Sequence, residues 1–445
     1  MQGWNTLPVA HSHGDGTFTV TNAYVGIFGS WAANPAAKKL MGDFDGNGWQ
    51  DVALIGMPGF STIPIAFSRG DGTFFLRNQP IDQFAYWASL PGVVPLVGDF
   101  NGDQFADIAL TGRYGWTTVP VALSMGPEQG FGRFLVYTEP IPNFAFWASD
   151  TAAAKITGDF NGDGRTDIAL TGVAGWSTLP VAFSNGFGGF DVTNQPISGA
   201  GIPLSAPPHN FASWASRTGT FGDRVQKIAG DFNGDGRTDI ALVGTCFPQR
   251  AYYNGSAYDG CSIPMAFSNG NGTFTVTAKS DDFSWCWPNQ TWCNAQYPFT
   301  VNTFVRSMAD WPAADYRVVS GDFNGDGRAD LAVTGYYLQH PEALHGIGLA
   351  LSRGDGFFLP VEHMEQQTYL DFFGFLQVAV VRLLPGDFNG DGQTDIAILG
   401  NTYGVIPIVT WDNVLGWSLS QYWDEWSFSI WASNPQSVPF SGDFN

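Results

Sequence analysis

Basic residues are scarce in this chain of 445 residues. It has 19 Lys and Arg against 40 Asp and Glu, which gives a formal net charge of −21. Nucleic acids and anionic membrane surfaces bind to basic protein faces, so neither is expected as a partner. No apolar run approaches the roughly 18 residues that a membrane-spanning helix needs. Residues 1–4, MQGW, do not begin a signal peptide, which favours a mature, processed or recombinant start.

Motifs of catalysis are also missing from the sequence. The six histidines show no HExxH or facial-triad spacing, and neither a GxSxG elbow nor a glycine-rich phosphate loop occurs. The neighbouring acids Asp424 and Glu425 would suit a glycosidase, but adjacent acids in a polar loop are commonplace. The sequence therefore predicts a protein that is not an enzyme.

Cysteine is rare and confined to one repeat. The four cysteines are Cys246, Cys261, Cys286 and Cys293. They predict two disulfides, most simply 246 with 261 and 286 with 293, although four cysteines allow three connectivities. A zinc site is the alternative, without a CxxC pair or histidine cluster to support it. Disulfides favour an oxidising compartment, so a secreted or cell-surface location is expected. Three N-glycosylation sequons agree with that location if the source glycosylates: Asn254, Asn271 and Asn289.

The chain is rich, by contrast, in one acidic loop. Its clearest copy is GDFNGDGRTDIAL at residues 230–242, with oxygen-bearing side chains at positions 1, 3, 5 and 9 counted from Asp231. Calcium takes six to eight oxygen ligands in a flexible geometry, so this loop suits calcium better than zinc or copper. Arg237 is placed to offer its carbonyl oxygen. An EF-hand also needs a glutamate at position 12 and flanking helices, whereas here position 9, Asp239, leads into a short apolar strand.

The loop recurs from one end of the chain to the other. Complete copies begin at residues 42, 98, 158, 230, 321 and 386, a seventh begins at 442, and successive starts lie 56 to 91 residues apart. Repeats of this size with several short strands indicate a β-propeller. About six calcium ions are expected, with these side-chain ligands: Asp43, Asp45, Asn47, Asp51, Asp99, Asn101, Asp103, Asp107, Asp159, Asn161, Asp163, Asp167, Asp231, Asn233, Asp235, Asp239, Asp322, Asn324, Asp326, Asp330, Asp387, Asn389, Asp391 and Asp395. Loop 98–107 departs from the pattern because Gln104 replaces glycine.

These GDFNGDGRTDIAL-type loops, together with NGTF turns such as residues 271–274, resemble FG-GAP/VCBS repeats. That family includes the seven-bladed propeller of integrin α chains and fungal lectins of the same fold. The resemblance covers essentially the whole chain. It implies an all-β, seven-bladed β-propeller of four-stranded blades with calcium in the loops between the first and second strands. It implies a biological task only weakly, because the fold hosts many functions.

Each repeat is predicted to form four strands, A to D, and the whole chain 1–445 one propeller. The seventh blade would be closed by both termini, with strand A from the C-terminus and strands C and D from the N-terminus. No residues remain for its strand B, so this blade is incomplete in the sequence. We therefore expect the molecule to continue past Asn445 or to have lost residues before Met1.

Alternating strand direction separates the loops onto two faces. The acidic A–B loops and the C–D turns share one face, and the B–C loops and the connectors between blades share the other. Aromatic residues of the second face are Trp4, Phe60, Trp116 and Trp176 in B–C loops and Trp31, Trp87, Trp147, Trp214 and Trp431 in connectors. The connector tryptophans are expected to pack between blades. Candidate ligand-binding residues are Trp4, Trp116, Trp176, Trp285, Trp287 and Trp292.

The leading hypothesis is a calcium-stabilised extracellular recognition module that binds glycans or glycoproteins through this aromatic face. The first alternative is a structural or adhesive module of a larger secreted or surface-fibre protein, with further copies or segments as its partners. A polysaccharide-active enzyme is the remaining alternative.

Overall fold

The computed structural model describes residues 3–15, 17–197, 211–217, 225–243, 249–253, 256–260, 263–278, 316–335, 347–361, 382–399, 405–412, 416–423, 428, 431–432, 434, 437–439 and 441–442. Cys246, Cys261, Cys286 and Cys293 lie outside these residues, and so do Trp285, Trp287 and Trp292. Within them, no helix is long and apolar enough to cross a membrane.

The described residues form an antiparallel β-propeller. A two-stranded sheet comes first, with β1 (Thr6–Ser12) and β2 (Phe18–Tyr24). Blade 1 contains β3 (Lys38–Gly42), β4 (Asp51–Ile55), β5 (Thr62–Ser68) and β6 (Phe74–Pro80). Blade 2 contains β7 (Val94–Gly98), β8 (Asp107–Thr111), β9 (Val121–Ser124) and β10 (Phe134–Tyr137). Blade 3 contains β11 (Ala154–Gly158), β12 (Asp167–Thr171), β13 (Thr178–Ser184) and β14 (Phe190–Pro196).

Three further blades follow. Blade 4 contains β15 (Gln226–Gly230), β16 (Asp239–Val243), β19 (Met265–Ser268) and β20 (Phe274–Thr277), with a hairpin of β17 (Gln249–Tyr253) and β18 (Ser256–Gly260) between its second and third strands. Blade 5 contains β21 (Tyr316–Gly321), β22 (Asp330–Gly335), β23 (Ile347–Ser352) and β24 (Phe358–Val361). Blade 6 contains β25 (Arg382–Gly386), β26 (Asp395–Leu399), β27 (Val405–Asp412) and β28 (Gly416–Trp423).

The prediction of seven four-stranded blades is wrong for the described chain, which has six. In the seventh place stands the two-stranded sheet β1–β2, because no described residues form two further strands beside it. The all-β propeller fold and the four-stranded blades are confirmed. Within each blade the strands pair in chain order, A to D, as the alternation of apolar runs and turns predicts.

Burial explains which sequence becomes which strand. The second strand of a blade is a continuous apolar run after an aspartate, as in β12, DIALT, and all five of its residues are buried. Strands covered on both faces read as such runs. The fourth strand, by contrast, is mostly exposed, as in β14. The second strand therefore lies in the interior of each sheet and the fourth strand at its outer edge.

Connectors between blades contain short helices that the sequence analysis did not predict. They are α1 (Ile27–Ala32), α2 (Asp82–Ala88), α3 (Pro142–Ala148) and α4 (Phe211–Ala215). In the recurring pattern Phe-Ala-x-Trp-Ala, the phenylalanine and the tryptophan are three residues apart and share one face of the helix. Phe84 and Phe144 are fully buried, so each helix is held by an apolar face against the sheets.

Neighbouring blades are joined by the same contacts at successive junctions. A serine at the end of the third strand donates its hydroxyl hydrogen to a backbone carbonyl in the acidic loop of the preceding blade, as Ser124 does to Phe44 O at 2.7 Å and Ser268 to Phe160 O at 2.6 Å. The ring of the same loop phenylalanine contacts a ring of the next blade edge-on, for example Phe44 with Phe134 at 6.3 Å between centroids. We call this set of contacts the junction.

Glycine opens the loop motif because the junction leaves no room for a side chain. A β-carbon on Gly98 would lie 2.4 Å from Thr166 Cγ2, and one on Gly158 would lie 2.5 Å from Thr238 Cγ2. Both threonines belong to the next acidic loop along the chain. The three residues of GDF thus have separate roles. The glycine permits close contact with the next loop, the aspartate accepts N–H groups of its own loop, and the phenylalanine supplies a buried ring.

Candidate functional site

The six complete acidic loops have one internal geometry. The position-1 carboxylate accepts backbone N–H groups of its own loop, as Asp159 does from Gly162 at 2.7 Å, from Asp163 at 3.2 Å and from Gly164 at 2.8 Å. The loops are also linked to each other, because the position-8 N–H donates to the position-1 carbonyl of the preceding loop. Thr166 N lies 2.6 Å from Asp99 O, and Thr238 N lies 2.6 Å from Asp159 O.

The position-9 aspartate is the interior end of each loop. Asp167 is fully buried and accepts N–H groups from Phe160 at 2.9 Å and Ser184 at 2.8 Å, which ties the loop to the third strand. Burial raises the pKa of Asp51 and Asp107 to about 8 and the pKa of Asp167 to about 7. The backbone N–H groups that each carboxylate accepts lower its pKa, but burial has the larger effect. A nearby cation would favour the charged form of such carboxylates.

The donor set of loop 42–51 fits a calcium ion. Carboxylate oxygens of Asp43, Asp45 and Asp51 all lie within 4.8 Å of one another. Calcium binds oxygen at about 2.3–2.6 Å, so ligands on opposite sides of one ion are roughly 5 Å apart. Burial raises the pKa of Asp45 to about 6, and neighbouring Asp43 adds to this rise. Three clustered carboxylates are therefore available to one ion here.

In the loops that have an aspartate at position 5, neighbouring side chains offset its negative charge. Asn161 donates through its side chain to Asp163 Oδ2 at 2.8 Å, and the guanidinium of Arg165 pairs with the same oxygen. Arg165 also donates through Nε to Ser184 O at 3.0 Å. Equivalent arginine pairs occur in the loops of blades 4 and 5. The sequence analysis gave this arginine only a carbonyl role and missed its side chain.

Gln104 keeps the loop geometry although it is not glycine. Its φ is 72°, in the left-handed region that glycine adopts at this position elsewhere, and its N–H donates to Asp99 Oδ2 at 2.8 Å. A left-handed conformation costs a residue with a side chain roughly 1–2 kcal/mol. Loop 98–107 therefore keeps the conformation of the other loops, and Gln104 adopts a strained backbone conformation within it.

The contacts agree with the predicted separation into two faces. Position-7 side chains of the acidic loops cover the C–D turns: a β-carbon on Gly126 would lie 2.5 Å from Phe105, and one on Gly70 would lie 2.5 Å from Trp49. On the other side, Ile81 N donates to Ser61 O at 2.8 Å, which joins a connector to a B–C loop. We call the first side the acidic face and the second the connector face.

Three of the six predicted ligand-binding tryptophans lie within the described residues, and all three are packed against the protein. Trp116 and Trp176 are half-buried and contact the apolar clusters between blades. Trp4 meets Trp431 edge-on, with 5.9 Å between ring centroids. Trp31 of a connector and Phe60 of a B–C loop are paired in the same way at 5.6 Å. These rings therefore help to fix the loops of the connector face.

Other rings of the connector face are far more exposed. Tyr114 is 78% exposed, and Tyr86 and Phe146 are each 60% exposed. Tyr86 and Phe146 occupy the variable position of Phe-Ala-x-Trp-Ala in α2 and α3. The phenylalanine and the tryptophan of that pattern face inward, so the variable residue just before the tryptophan faces outward. The helical period of the connector was the signal that would have identified these rings in the sequence.

Tyr86 and Tyr114 lie on two neighbouring segments of the connector face. Tyr114 follows Arg113, whose guanidinium donates to Pro91 O at 2.9 Å. Pro91 lies in the connector that contains α2, three residues after its last residue, Ala88. The B–C loop of blade 2 is thereby tied to the connector that carries Tyr86. The two segments carry two exposed phenol rings and a guanidinium on one face, and such groups suit contact with the apolar and hydroxyl groups of a sugar.

Known proteins match this chain mainly by its repeats. The FG-GAP-like repeat family matches residues 43–110 and 322–398, so the chain contains FG-GAP-like repeats. No curated protein matches the chain in sequence at a significant level.

In three dimensions the chain is similar to an Agrocybe aegerita lectin whose structure is described as the basis of specific recognition of non-reducing terminal N-acetylglucosamine. The TM-score is 0.66 at 20% identity, over 98% of this chain and 94% of that one. The BP39L lectin from Burkholderia pseudomallei aligns with 87% of this chain at 15% identity, over 99% of its own length, with a TM-score of 0.31. At these identities the first likeness shows the propeller fold alone, and the second supports no inference.

The two kinds of ring on the connector face predict different effects of truncation. Trp116→Ala removes a ring that packs against the core, so it is expected to lower the free energy of unfolding by about 2–4 kcal/mol. Tyr114→Ala, two residues away in the same loop, is expected to change it by less than about 0.5 kcal/mol. Urea denaturation followed by circular dichroism compares the two variants. Equal losses of stability would show that the assignment of packed and exposed rings is wrong.

Proposed function

We propose that this protein is a carbohydrate-binding propeller that recognises glycans through its connector face. The observation that carries the proposal is the exposure of Tyr86 and Tyr114 on two connector-face segments that are joined by the hydrogen bond from Arg113 to Pro91 O. Ligand sites commonly combine aromatic surface with a few placed polar groups, and they lie on loops held by a rigid scaffold. The similarity in fold to a lectin that recognises terminal N-acetylglucosamine supports the same class of ligand.

The proposal assigns the packed and exposed aromatic residues separate roles. Trp116 and Trp176 hold the B–C loops in place, while Tyr86, Tyr114 and Phe146 supply apolar surface to the ligand. Phe146 occupies in α3 the position that Tyr86 occupies in α2, so the surface repeats from one connector to the next. Repeated weak sites on one face would bind clustered glycans with an avidity above that of a single site. No catalytic group is required, and the protein acts outside the cell by recognition.

Glycan binding is tested with a glycan array that includes ligands with terminal N-acetylglucosamine, followed by calorimetry on the best ligand. Stacking of one aromatic ring contributes about 0.5–1.5 kcal/mol, so Tyr114→Ala and Tyr86→Ala should each weaken binding about two- to twelvefold. Phe187→Ala is the matched control, because this ring is 77% exposed but belongs to a C–D turn on the acidic face. Binding that is absent from the folded protein, or that falls only in the Phe187 variant, would contradict the proposal.

We also propose that calcium occupies the acidic loops and is structural there. The support is the donor chemistry: loop 42–51 brings carboxylates of Asp43, Asp45 and Asp51 together, and each loop ends in a buried aspartate. Bound calcium would neutralise these charges and hold the turn between the first and second strands. The loops of blades 3 to 5 carry an arginine on the position-5 carboxylate, so we expect weaker calcium binding in them than in loop 42–51.

Calcium binding is measured on protein stripped with a chelator. Added calcium should raise the midpoint of thermal unfolding, because an ion that binds only the folded state stabilises it. Asp45→Asn should remove the tightest site from a calorimetric titration. Asp71→Asn serves as the control, since Asp71 lies in the exposed C–D turn of the same blade and accepts hydrogen bonds from the backbone N–H and the hydroxyl of Thr73. An unfolding midpoint that does not respond to calcium would rule out this role.

A further inference from the structure

A pocket lies on the acidic face between the C–D turns of blades 2 and 3. Its volume is about 420 Å³, within the range of about 300–1,000 Å³ that is usual for ligand pockets. Its lining includes Asp103 and Phe105 of loop 98–107, Glu128 of the C–D turn of blade 2, Tyr137 of β10 and residues 186–187 of blade 3. The pocket is on the opposite face from the proposed glycan site, and the inference below does not depend on that proposal.

The charge of the lining has one sign. Asp103 and Glu128 are the charged residues among the described residues that line the pocket, and both are exposed to solvent. Phe105 and Tyr137 add aromatic surface. Carboxylates accept charge-assisted hydrogen bonds, and the face of an aromatic ring attracts a cation. The lining is therefore complementary to a positively charged group.

Three other blades place a guanidinium on the acceptors that correspond to this pocket. In blade 3, Arg165 pairs with the position-5 carboxylate of Asp163, and its Nε–H donates to Ser184 O at 3.0 Å. Its stem lies against Gly102 of the preceding acidic loop and Gly186 of the C–D turn. The position-7 arginines of blades 4 and 5 make the same pair of polar contacts. A guanidinium held by one carboxylate and one strand carbonyl is thus a recurring feature of this propeller.

Blade 2 has the same acceptors without the arginine. Its position-7 residue is Phe105, whose ring lies against Gly46 and Gly126. These glycines correspond to the two that the stem of the arginine contacts in blade 3, so the ring takes the place of that stem. A phenyl ring carries no donor. In the part of the chain that the structure describes, no cation pairs with Asp103, and no side chain donates to Ser124 O.

We propose that this pocket binds an arginine side chain of a partner protein. The guanidinium donates to the carboxylate of Asp103 and to Ser124 O, as Arg165 donates to the equivalent atoms of blade 3. Glu128 supplies a second carboxylate. The net charge of −21 attracts a basic partner to this protein over longer distances.

The mixed lining selects a guanidinium over an ammonium group. A guanidinium is planar, donates in two directions within its plane and stacks on aromatic surface such as that of Phe105 and Tyr137. The ammonium of lysine is a compact, strongly hydrated charge and does not combine these contacts. We therefore expect a lysine side chain to bind more weakly than an arginine side chain.

The test uses short glycine peptides that carry one central arginine, lysine or citrulline, the last being the neutral analogue of arginine. Ligand-detected NMR with the full chain should show saturable binding of one arginine peptide per protein, weakened by added salt. The citrulline peptide should bind more weakly by about tenfold or more, because it lacks the charge. All titrations contain calcium, so that the variants are compared in one state of the acidic loops.

Protein variants separate the pocket from general attraction to an acidic protein. Phe105→Arg restores the arginine found in three other blades, so it should fold, fill the pocket and abolish peptide binding. Glu128→Gln should weaken binding about two- to fivefold, as expected for an exposed ion pair. Asp71→Asn is the matched control, because it removes the same charge from the C–D turn of blade 1 and should leave binding unchanged.

Four results would overturn the proposal. They are a folded protein that does not bind the arginine peptide, equal binding of the arginine peptide and either of the other peptides, unchanged binding by the Phe105→Arg variant, and equal effects of Glu128→Gln and Asp71→Asn. Circular dichroism establishes that each variant is folded. The glycan array reads out the connector face separately, so a failure of this proposal is distinguishable from a failure of the glycan site.

Discussion

Contacts at the junctions between blades are the constraint on which the rest of this structure depends. Each junction combines a serine hydroxyl on a loop carbonyl with a buried phenylalanine ring, and a backbone hydrogen bond between successive acidic loops accompanies it. No blade buries its own faces, so the apolar second strands are covered only when neighbours are held at this spacing. The residues Gly-Asp-Phe of the motif therefore make contacts between blades, in addition to the ligand that the aspartate offers to an ion. This explains why the motif keeps its opening glycine even where loop 98–107 loses a later one.

The junctions between successive blades also determine which loops can vary in length and sequence. The acidic face carries the linked loops, and their lengths are the same in all six complete blades. The connector face is free of this linkage, and there the loops, helices and exposed residues differ between blades. Packed tryptophans such as Trp116 make that face rigid, while rings such as Tyr86 are left outside. A rigid face with variable exposed rings has the properties of a recognition surface.

Much of the fold was predictable from the sequence, because its evidence is local. The strands of blade 3 follow from an apolar run, a proline-containing strand and glycine turns, and strand alternation gives the two faces. The exposed rings were not predicted, because Tyr86 and Trp87 are both aromatic and only the helical period tells which one faces solvent. The side-chain role of Arg165 depends on contacts with Asp163 and Ser184 that spacing does not show. Blade number also failed as a prediction, since a count of motif starts does not count complete sheets.

The most direct test of the central claim removes one junction hydrogen bond and leaves the backbone unchanged. Ser124→Ala leaves the buried carbonyl of Phe44 without this partner, which costs about 1–3 kcal/mol. Ser149→Ala removes a comparable hydroxyl bond to Phe146 O, but at an exposed helix end within one connector. Urea denaturation should show a lower midpoint for Ser124→Ala and an unchanged midpoint for Ser149→Ala. Equal midpoints for the two variants would contradict the view that junctions hold the propeller together.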